Sequence, residues 1–323
     1  MVIEEKGRVS GGKLDPQIEY VLAVVAAANE GEGKLLAETA VSEVRSAPDP
    51  IDPFSIEKVE VGHVQELSIS AEEGHTIPIR VYHPGGADMK SVLVFFHGGC
   101  WVFCDLDSHD AICRYLCRQA DCIVVSVDYR LAPDHKFPAG VEDAYAATQW
   151  VFEHVQELGG DRKRIAVGGD SAGGNLAAVV SLMARDRGEF PLALQLLIYP
   201  ITNIAEFENE SYKAFHTAYF LEQEMMEWAG NHYINNEADR RHPYISPLLA
   251  PDLRGLPAAF VLSAEFDILR DEGEVYARRL AEAGNQVRAI RYNGMVHAFV
   301  AMAGAVDLGK IALDDCALAL KRM

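Results

Sequence analysis

The sequence predicts an α/β fold in which a mostly parallel, eight-stranded sheet is flanked by helices and covered by a helical cap. From about residue 55 onward, short runs rich in β-branched residues alternate with helical patterns, which is typical of a parallel sheet with helices on both faces. The later runs are almost continuously apolar, as strands buried on both faces must be. Two stretches, residues 1–50 and 203–249, break the alternation.

Each predicted strand is a short apolar or β-rich run bounded by turn-forming residues. The eight candidates are residues 59–69, 77–82, 92–96, 123–128, 165–168, 194–199, 259–263 and 287–292. Helical patterns fill the gaps between them, and several begin at a capping or acidic residue. These are residues 110–120, 140–158, 175–186, 272–283 and 301–322.

The two stretches that break the alternation are expected to form the cap. Residues 1–50 have a helical pattern and lead into a proline-bearing segment, whereas residues 203–249 are rich in aromatic residues and Met. The catalytic domain then comprises residues 51–202 and 250–323, with residues 203–249 inserted between its halves. We expect most cap aromatics to pack on the sheet domain and a few to line a substrate cavity.

The composition argues against several classes of partner. With 48 acidic and 29 basic side chains, the formal charge is −19, which repels nucleic-acid phosphates and anionic lipids. No run approaches the roughly 20 apolar residues of a membrane span. Residues 1–12 lack the apolar core and cleavage site of a secretory signal. A cytoplasmic protein with no nucleic-acid or membrane partner is expected.

The cysteines give no indication of a metal site. The six cysteines form no CxxC pair, and reduced thiols are expected in the cytoplasm. Cys113 and Cys117 are one helical turn apart, but no histidine-and-cysteine set at zinc-finger spacing accompanies them. We therefore expect no metal.

The strongest chemical signal is the Gly-Asp-Ser-Ala-Gly segment at residues 169–173. It lies directly after a predicted strand and directly before a predicted helix, and this context makes a G-x-S-x-G string specific. A nucleophilic serine at such a sharp turn is strained, and small neighbours prevent clashes. The following helix points its positive end at a developing oxyanion. Ser171 is therefore the candidate nucleophile.

A second loop and a late histidine complete the pattern. Residues 97–101, His-Gly-Gly-Cys-Trp, follow the predicted strand 92–96, and their glycines allow backbone N–H groups to face a bound carbonyl. His297 lies just past the last predicted strand, alone among the 11 histidines. This position suits the general base of a serine hydrolase, which comes last in the chain order.

The acidic partner of the histidine is expected between Ser171 and His297. The loop after the strand at 259–263 offers Glu265, Asp267, Asp271 and Glu272. The last two fit the first turn of the next helix, where acidic residues offset the dipole. The residues alone leave Asp267 and Glu265 as alternatives.

Together these motifs resemble the hormone-sensitive-lipase family of esterases, also called bacterial family IV, which has the α/β-hydrolase fold. The resemblance spans nearly the whole chain. It rests on residues 97–101 (similar to HGGGW), 128–133 (DYRLAP), 169–175 (GDSAGGN), 267–273 (similar to DPLRDEG) and 294–299 (similar to GMxHxF). The first aspartate of DPLRDEG is the triad acid, so the resemblance selects Asp267.

The resemblance also implies an oxyanion hole. The N–H groups of Gly99, Cys100 and Ala172 would be its donors, and Gly98 would shape the turn. Cys100 stands where the family has a third glycine, so its side chain must point away from the site or narrow it. The nearby helix N-terminus would lower the pKa of its thiol and burial would raise it. The sequence leaves that balance open.

By the same resemblance, the chain is expected to be a serine carboxylesterase that hydrolyses short- to medium-chain acyl esters through an acyl-enzyme. Trp101 and two cap aromatics, Phe215 and Tyr219, are expected to contact the small ester substrate. No metal or organic cofactor is needed, and a homodimer is one option for the assembly. Deacetylase or amidase chemistry is an alternative on the same triad. A non-catalytic receptor is another, although such receptors have lost the histidine that this chain keeps at position 297.

Overall fold

The computed structural model describes residues 1–7, 12–28, 39–71 and 74–323. Nine strands within these ranges form one sheet. Its strands are β1 Glu4–Lys6, β2 His63–Ser70, β3 Thr76–His83, β4 Lys90–Phe96, β5 Ile123–Val127, β6 Gly160–Asp170, β7 Leu194–Ile198, β8 Ala258–Phe266 and β9 Val287–Val296. They lie in the order β1-β9-β8-β7-β6-β4-β5-β3-β2. The pairs β2–β3 and β3–β5 are antiparallel and the others are parallel.

The prediction of eight strands was one strand short. Each predicted strand coincides with one of β2 to β9, but β1 was missed, and it pairs in parallel with β9 at the edge of the sheet. It has three residues, two of them glutamates, so it shows no apolar alternation. Glu4 accepts two 3.0 Å hydrogen bonds from Arg288. Backbone pairing with β9 and ionic contacts, rather than a buried face, hold this edge strand.

Helices cover both faces of the sheet. They are α1 Pro16–Ala28, α2 Val41–Ser46, α3 Asp110–Ala120, α4 Ala139–His154, α5 Ala172–Arg187, α6 Glu210–Phe215, α7 Gln223–Tyr233, α8 Arg270–Glu282 and α9 Asp307–Lys321. The last begins later than the predicted 301, because turns occupy residues 297–305. None of the helices in the described ranges is long and apolar enough to cross a lipid bilayer.

The central strands separate two apolar layers. In β4, Val92, Val94 and Phe96 join the layer that contains buried residues of α4, α5 and α8. Leu93 and Phe95, which alternate with them, join the layer that contains residues of α3 and α9. This period of two, with every β4 residue buried, explains why residues 92–96 are continuously apolar in sequence.

Segments from both predicted cap stretches contact loops at the carboxyl edge of the sheet. In the N-terminal stretch, the Arg45 side chain donates 2.8 Å hydrogen bonds to the carbonyls of Val102 and Ala132. In the insertion, Ser211 at the start of α6 donates to the Ile268 carbonyl at 2.6 Å. Residues 8–11 and 29–38 of the predicted N-terminal cap part lie outside the described residues.

Candidate active site

Ser171 lies in the tight turn between β6 and α5. Its backbone has φ 53° and ψ −116°, a combination that a non-glycine residue rarely adopts and that costs on the order of 1–3 kcal/mol. The turn is held by hydrogen bonds from the Ser171 N–H to the Ile198 carbonyl at 2.9 Å and from the Ile201 N–H to the Ser171 carbonyl at 3.2 Å. These contacts fix the strained conformation.

The glycines on each side of this turn are required by close backbone approach. A Cβ at Gly169 would lie 2.2 Å from the Phe96 carbonyl oxygen, and one at Gly173 would lie 1.9 Å from the same atom. Any side chain would therefore push the end of β4 away from the turn. The G-x-S-x-G spacing follows from this packing, as the sequence analysis expected on steric grounds.

A chain of hydrogen-bond contacts joins Ser171 to two other side chains. The His297 Nε2 atom lies 3.0 Å from the Ser171 Oγ atom, and the His297 Nδ1 atom lies 2.7 Å from Asp267 Oδ2. The second Asp267 oxygen accepts a 2.9 Å hydrogen bond from the Leu269 N–H. All three side chains are buried. The carboxylate favours the tautomer that carries a proton on Nδ1, which leaves Nε2 free to accept the hydroxyl proton.

The other acidic residues of this loop lie elsewhere. Glu265 accepts a 2.7 Å hydrogen bond from the Gly294 N–H, and Asp271 accepts one of 2.9 Å from the Ser211 N–H. Glu272 accepts hydrogen bonds from the N–H groups of Thr202 and Asn203 at 2.7 and 2.9 Å. Of the four candidates, it is Asp267 that the structure brings to His297.

The loop that follows β4 turns back sharply at Gly99, which has φ 97°. A Cβ there would lie 2.1 Å from the Phe103 carbonyl oxygen. The Gly99 carbonyl accepts hydrogen bonds from the N–H groups of Val102 and Phe103. In the part of the chain that the structure describes, we find no hydrogen bond donated by the N–H of Gly99, Cys100 or Ala172. These three groups are therefore available to an incoming oxygen.

Cys100 adopts a left-handed backbone conformation, with φ 52°, in the position where the related motif has glycine. Its side chain is buried, with 3% exposed. Burial, reinforced by the negative charge of Asp170, raises the pKa of the Cys100 thiol to about 12. The thiol therefore stays protonated at neutral pH.

The three aromatic residues expected to contact substrate occupy different environments. Trp101 is 1% exposed and stacks on Tyr233 of α7, with ring centroids 4.4 Å apart. It offers almost no surface to a ligand in this structure. Phe215 and Tyr219 are partly buried, and each packs on Phe266 at 5.4 Å. Because Phe266 directly precedes Asp267, this pair lies beside the acidic residue of the site.

Sequence reasoning missed several side chains that hold the site together. The Asn175 side chain donates to the carbonyls of Ile201 and Ile245 at 2.9 and 2.8 Å, so α5 holds both ends of the insertion. Tyr199 packs on the His297 ring at 4.7 Å. Asn175 lies within the nucleophile motif and so carried a signal, whereas Tyr199 directly follows the ordinary apolar strand β7 and carried none.

Glu272 also has a larger role than the helix-dipole interpretation gave it. Its carboxyl group is 2% exposed and accepts its two N–H hydrogen bonds from the start of the insertion. Burial raises the pKa of Glu272 to about 8, although those hydrogen bonds act in the opposite direction. Within the described ranges, no group of three or more His, Cys, Asp or Glu side chains is placed to hold a metal ion.

Comparisons with known proteins identify this arrangement. A family model described as the alpha/beta hydrolase fold matches residues 93–301, well over half of the chain. The chain belongs to the hormone-sensitive-lipase-like esterases of the α/β-hydrolase fold. It is a carboxylic ester hydrolase of the serine type, and the comparisons do not favour the alternatives of a deacetylase, an amidase or a non-catalytic receptor.

Three similar proteins illustrate the relationship. The carboxylic ester hydrolase LipN of Mycobacterium tuberculosis is 46% identical over 73% of this chain and 64% of its own length. The carboxylesterase NlhH of the same organism is 39% identical over 96% of both chains. The solved structure of a hyperthermophilic esterase from Pyrobaculum calidifontis is 39% identical, covers 96% of this chain and 99% of its own, and superposes with a TM-score of 0.89.

Proposed function

We propose that this chain hydrolyses esters of short- and medium-chain carboxylic acids, with Ser171 as nucleophile, His297 as general base and Asp267 as the residue that orients the base. The observation that supports this most strongly is the hydrogen-bonded series Ser171–His297–Asp267, with distances of 3.0 and 2.7 Å, built on a strained serine. Relatives named arylesterase, from Saccharolobus solfataricus, and ethyl acetate hydrolase, from Pseudomonas putida, support small esters as the substrate class.

The reaction follows from the geometry of these groups. The Ser171 oxygen attacks the ester carbonyl carbon while its proton moves to His297 Nε2, and the carbonyl oxygen becomes an oxyanion. The N–H groups of Gly99, Cys100 and Ala172 stabilise that oxyanion, and Gly98 shapes the loop that carries two of them. His297 then gives its proton to the leaving alcohol, and the acyl-enzyme forms. Water, activated by His297, releases the acid and restores Ser171.

The cap is proposed to set the substrate range. Phe215 and Tyr219 pack beside Asp267 through Phe266, so they are placed to limit the length of a bound acyl or alcohol group. Trp101, stacked under Tyr233, would act by fixing the oxyanion loop against the cap, and would touch substrate only if that stack opens. The cap would consist of residues 1–50 and 203–249.

The test is a series of p-nitrophenyl esters with acyl chains from acetate to palmitate. We expect kcat/KM to be highest for short and medium chains and to fall steeply for the longest. Phe215→Ala should extend the range toward longer chains, whereas Tyr20→Ala, at an exposed residue of α1, should not alter it. A wild-type enzyme that hydrolyses none of these esters, or that prefers palmitate, would contradict the proposal.

The proposed location of the protein is the cytoplasm. All six cysteines are free thiols and five of them are buried, which suits the reducing cytoplasm. A homodimer is proposed as the assembly, and sedimentation velocity at micromolar concentration tests it.

A further inference from the structure

A second carboxylate–histidine–hydroxyl array lies directly behind the proposed active site. The His109 Nε2 atom lies 3.0 Å from Asp170 Oδ1, and its Nδ1 atom lies 2.9 Å from the Ser108 hydroxyl oxygen. Asp170 directly precedes Ser171, and His109 directly precedes α3. Asp170 is 6% exposed and His109 is 7% exposed. The array uses the same three side-chain types as the triad but none of its members.

The hydrogen bonds of this array place one proton of the imidazole on Nδ1. The Ser108 hydroxyl lies 2.8 Å from the Asp105 carbonyl, and a carbonyl oxygen can only accept. The single hydroxyl proton is therefore used there, so His109 Nδ1 must donate to the Ser108 oxygen. Nε2 accepts a 3.3 Å hydrogen bond from the Gly98 N–H when it carries no proton, and it pairs with Asp170 Oδ1 at 3.0 Å when it does. A protonated His109 therefore forms a buried ion pair with Asp170, whereas a neutral His109 accepts from the oxyanion loop.

This ion pair lies under the oxyanion loop. A Cβ built on Gly98 would lie 2.5 Å from Asp170 Oδ2, so the carboxylate packs directly against the Gly98 backbone. The Gly98 nitrogen also lies 3.3 Å from His109 Nε2. On the other side of the loop, the Tyr129 hydroxyl donates to the His97 carbonyl at 2.8 Å. The loop is thus held between Tyr129 and the Asp170–His109 pair.

We propose that Asp170 and His109 are positioning residues that fix the oxyanion loop relative to the nucleophile. Asp170 is joined to Ser171 by a peptide bond. His109 lies in the segment that follows the oxyanion loop, and it contacts Asp170. A shift of the ion pair would move the N–H groups of Gly99 and Cys100 away from the position of the oxyanion. The proposal rests on the proposed function, because it concerns the same site.

The surrounding charges support an ion pair at neutral pH. Burial acts against a charge on His109, but the carboxylate of Asp170 outweighs it and raises the pKa of His109. Burial acts in the same way against Asp170, yet the charge of His109 lowers the pKa of Asp170. Asp49 and Asp105 add negative charge near His109, and His297 adds to the charges that act on Asp170.

His97 is the remaining titratable neighbour. Burial and the charge of His109, whose ring centroid is 5.7 Å away, lower the pKa of His97 to about 4. His97 is therefore uncharged at neutral pH, which avoids repulsion of a protonated His109 beneath the loop.

His109→Gln and Asp170→Asn test the proposal with p-nitrophenyl acetate. Both should lower kcat by about 10- to 100-fold, because misplaced oxyanion donors act on the transition state, and should leave KM within about threefold. Inhibition by an aryl trifluoromethyl ketone, which forms a serine adduct with an oxyanion, should weaken by a similar factor. The matched control is His75→Gln, which removes another histidine–aspartate contact, partly buried and 2.7 Å long, to Asp143, and should keep kcat unchanged.

The pH dependence of kcat is a measurement that a purely structural role of His109 would not change. As the pH rises past the raised pKa of His109, the imidazolium loses its proton and Asp170 is left as an uncompensated negative charge that opposes the oxyanion. The kcat of the wild type should therefore fall on the alkaline side, and His109→Gln should abolish that limb. If neither variant folds, the test is whether the kcat of the wild type falls on the alkaline side.

Three results would overturn the proposal. The first is a folded His109→Gln variant whose kcat is within threefold of wild type. The second is an equal loss in His75→Gln. The third is an alkaline limb that is absent from the wild type or unchanged in His109→Gln. None of these outcomes bears on Ser171, since ester hydrolysis that depends on that residue would stand in each case.

Discussion

The two histidine arrays on either side of the 170–171 peptide contain the same groups in different hydrogen-bonding contexts. In one, His297 joins Asp267 at Nδ1 and Ser171 at Nε2. In the other, His109 joins Asp170 at Nε2 and Ser108 at Nδ1. The ring nitrogens exchange roles, and the decisive difference lies at the hydroxyl.

The Ser108 hydroxyl proton is held by the Asp105 carbonyl, so His109 has no proton to accept from it. The Ser171 hydroxyl faces a ring nitrogen that can accept its proton, next to backbone N–H groups that can stabilise an oxyanion. Composition alone therefore does not make a catalytic triad. The destination of the hydroxyl proton, together with a nearby oxyanion hole, separates a reactive array from a positioning one.

The largest expected effect is that of removing each hydroxyl in turn. Ser171→Ala should lower kcat by about 10³ to 10⁶, since only oxyanion stabilisation and binding remain. Ser108→Ala should lower kcat by less than about tenfold, because the loop loses one support but no reacting atom. Steady-state kinetics on p-nitrophenyl acetate measures both, and similar losses in the two variants would break the distinction between the arrays.

Neutralising the two carboxylates sharpens the comparison further. Asp267→Asn should lower kcat by about 10⁴, because an amide favours the wrong tautomer of the base. This loss should exceed that of Asp170→Asn by at least tenfold. Glu265→Gln is the matched control within the same loop and should lose far less than Asp267→Asn. Equal losses at positions 265 and 267 would reopen the choice of the acid.

A third buried carboxyl group, Glu272, has no histidine partner, and its effect should appear in stability. Its pKa is raised from 4.5 to about 8, so between these values the folded protein binds more protons than the unfolded chain. The free energy of unfolding contributed by this group therefore falls as the pH rises from 5 to 8, by on the order of a few kcal/mol.

Glu272→Gln should remove that pH dependence while keeping an acceptor for the N–H groups of Thr202 and Asn203. Urea unfolding of both proteins at pH 5, 6, 7 and 8 measures the difference. Parallel pH profiles of the two unfolding free energies would show that Glu272 ionises normally in the folded state.

The smallest effect is expected at Cys100. The thiolate is the reactive form, and a thiol with a pKa near 12 is almost entirely protonated at pH 8. Iodoacetamide should therefore inactivate wild type and Cys100→Gly at the same slow rate, and the two should have similar kcat. Faster inactivation of the wild type, prevented by a competing ester, would show instead that the thiol is accessible and reactive.

The sequence predicted those elements whose residue pattern is set by burial or by steric constraints within a short segment. Strands β4, β5 and β7 are largely apolar because both of their faces are buried, and residues 169–173 show the steric demands of a strained turn. β1 was missed because its three residues are charged and show no apolar alternation. Trp101 was expected to contact the substrate, although it is 1% exposed. The residues alone left Asp267 and Glu265 open, because the choice depends on the path of the loop after β8, and it was the resemblance of residues 267–273 to DPLRDEG that selected Asp267.

The Asp170–His109 pair shows the same limit. Both residues lie near motifs that were recognised, but their contact joins the end of β6 to the start of α3 across 61 positions of the chain. Long-range polar contacts of this kind leave no periodic signal in a single sequence.

The central claim, that an acyl-enzyme forms on Ser171, is tested most directly by mass spectrometry after reaction with an alkyl fluorophosphonate. We predict one adduct per chain, located on the peptide that contains Ser171, absent from Ser171→Ala and retained in Ser108→Ala. An adduct on any other residue, or ester hydrolysis by Ser171→Ala at more than about one part in a thousand of the wild-type kcat, would contradict the account.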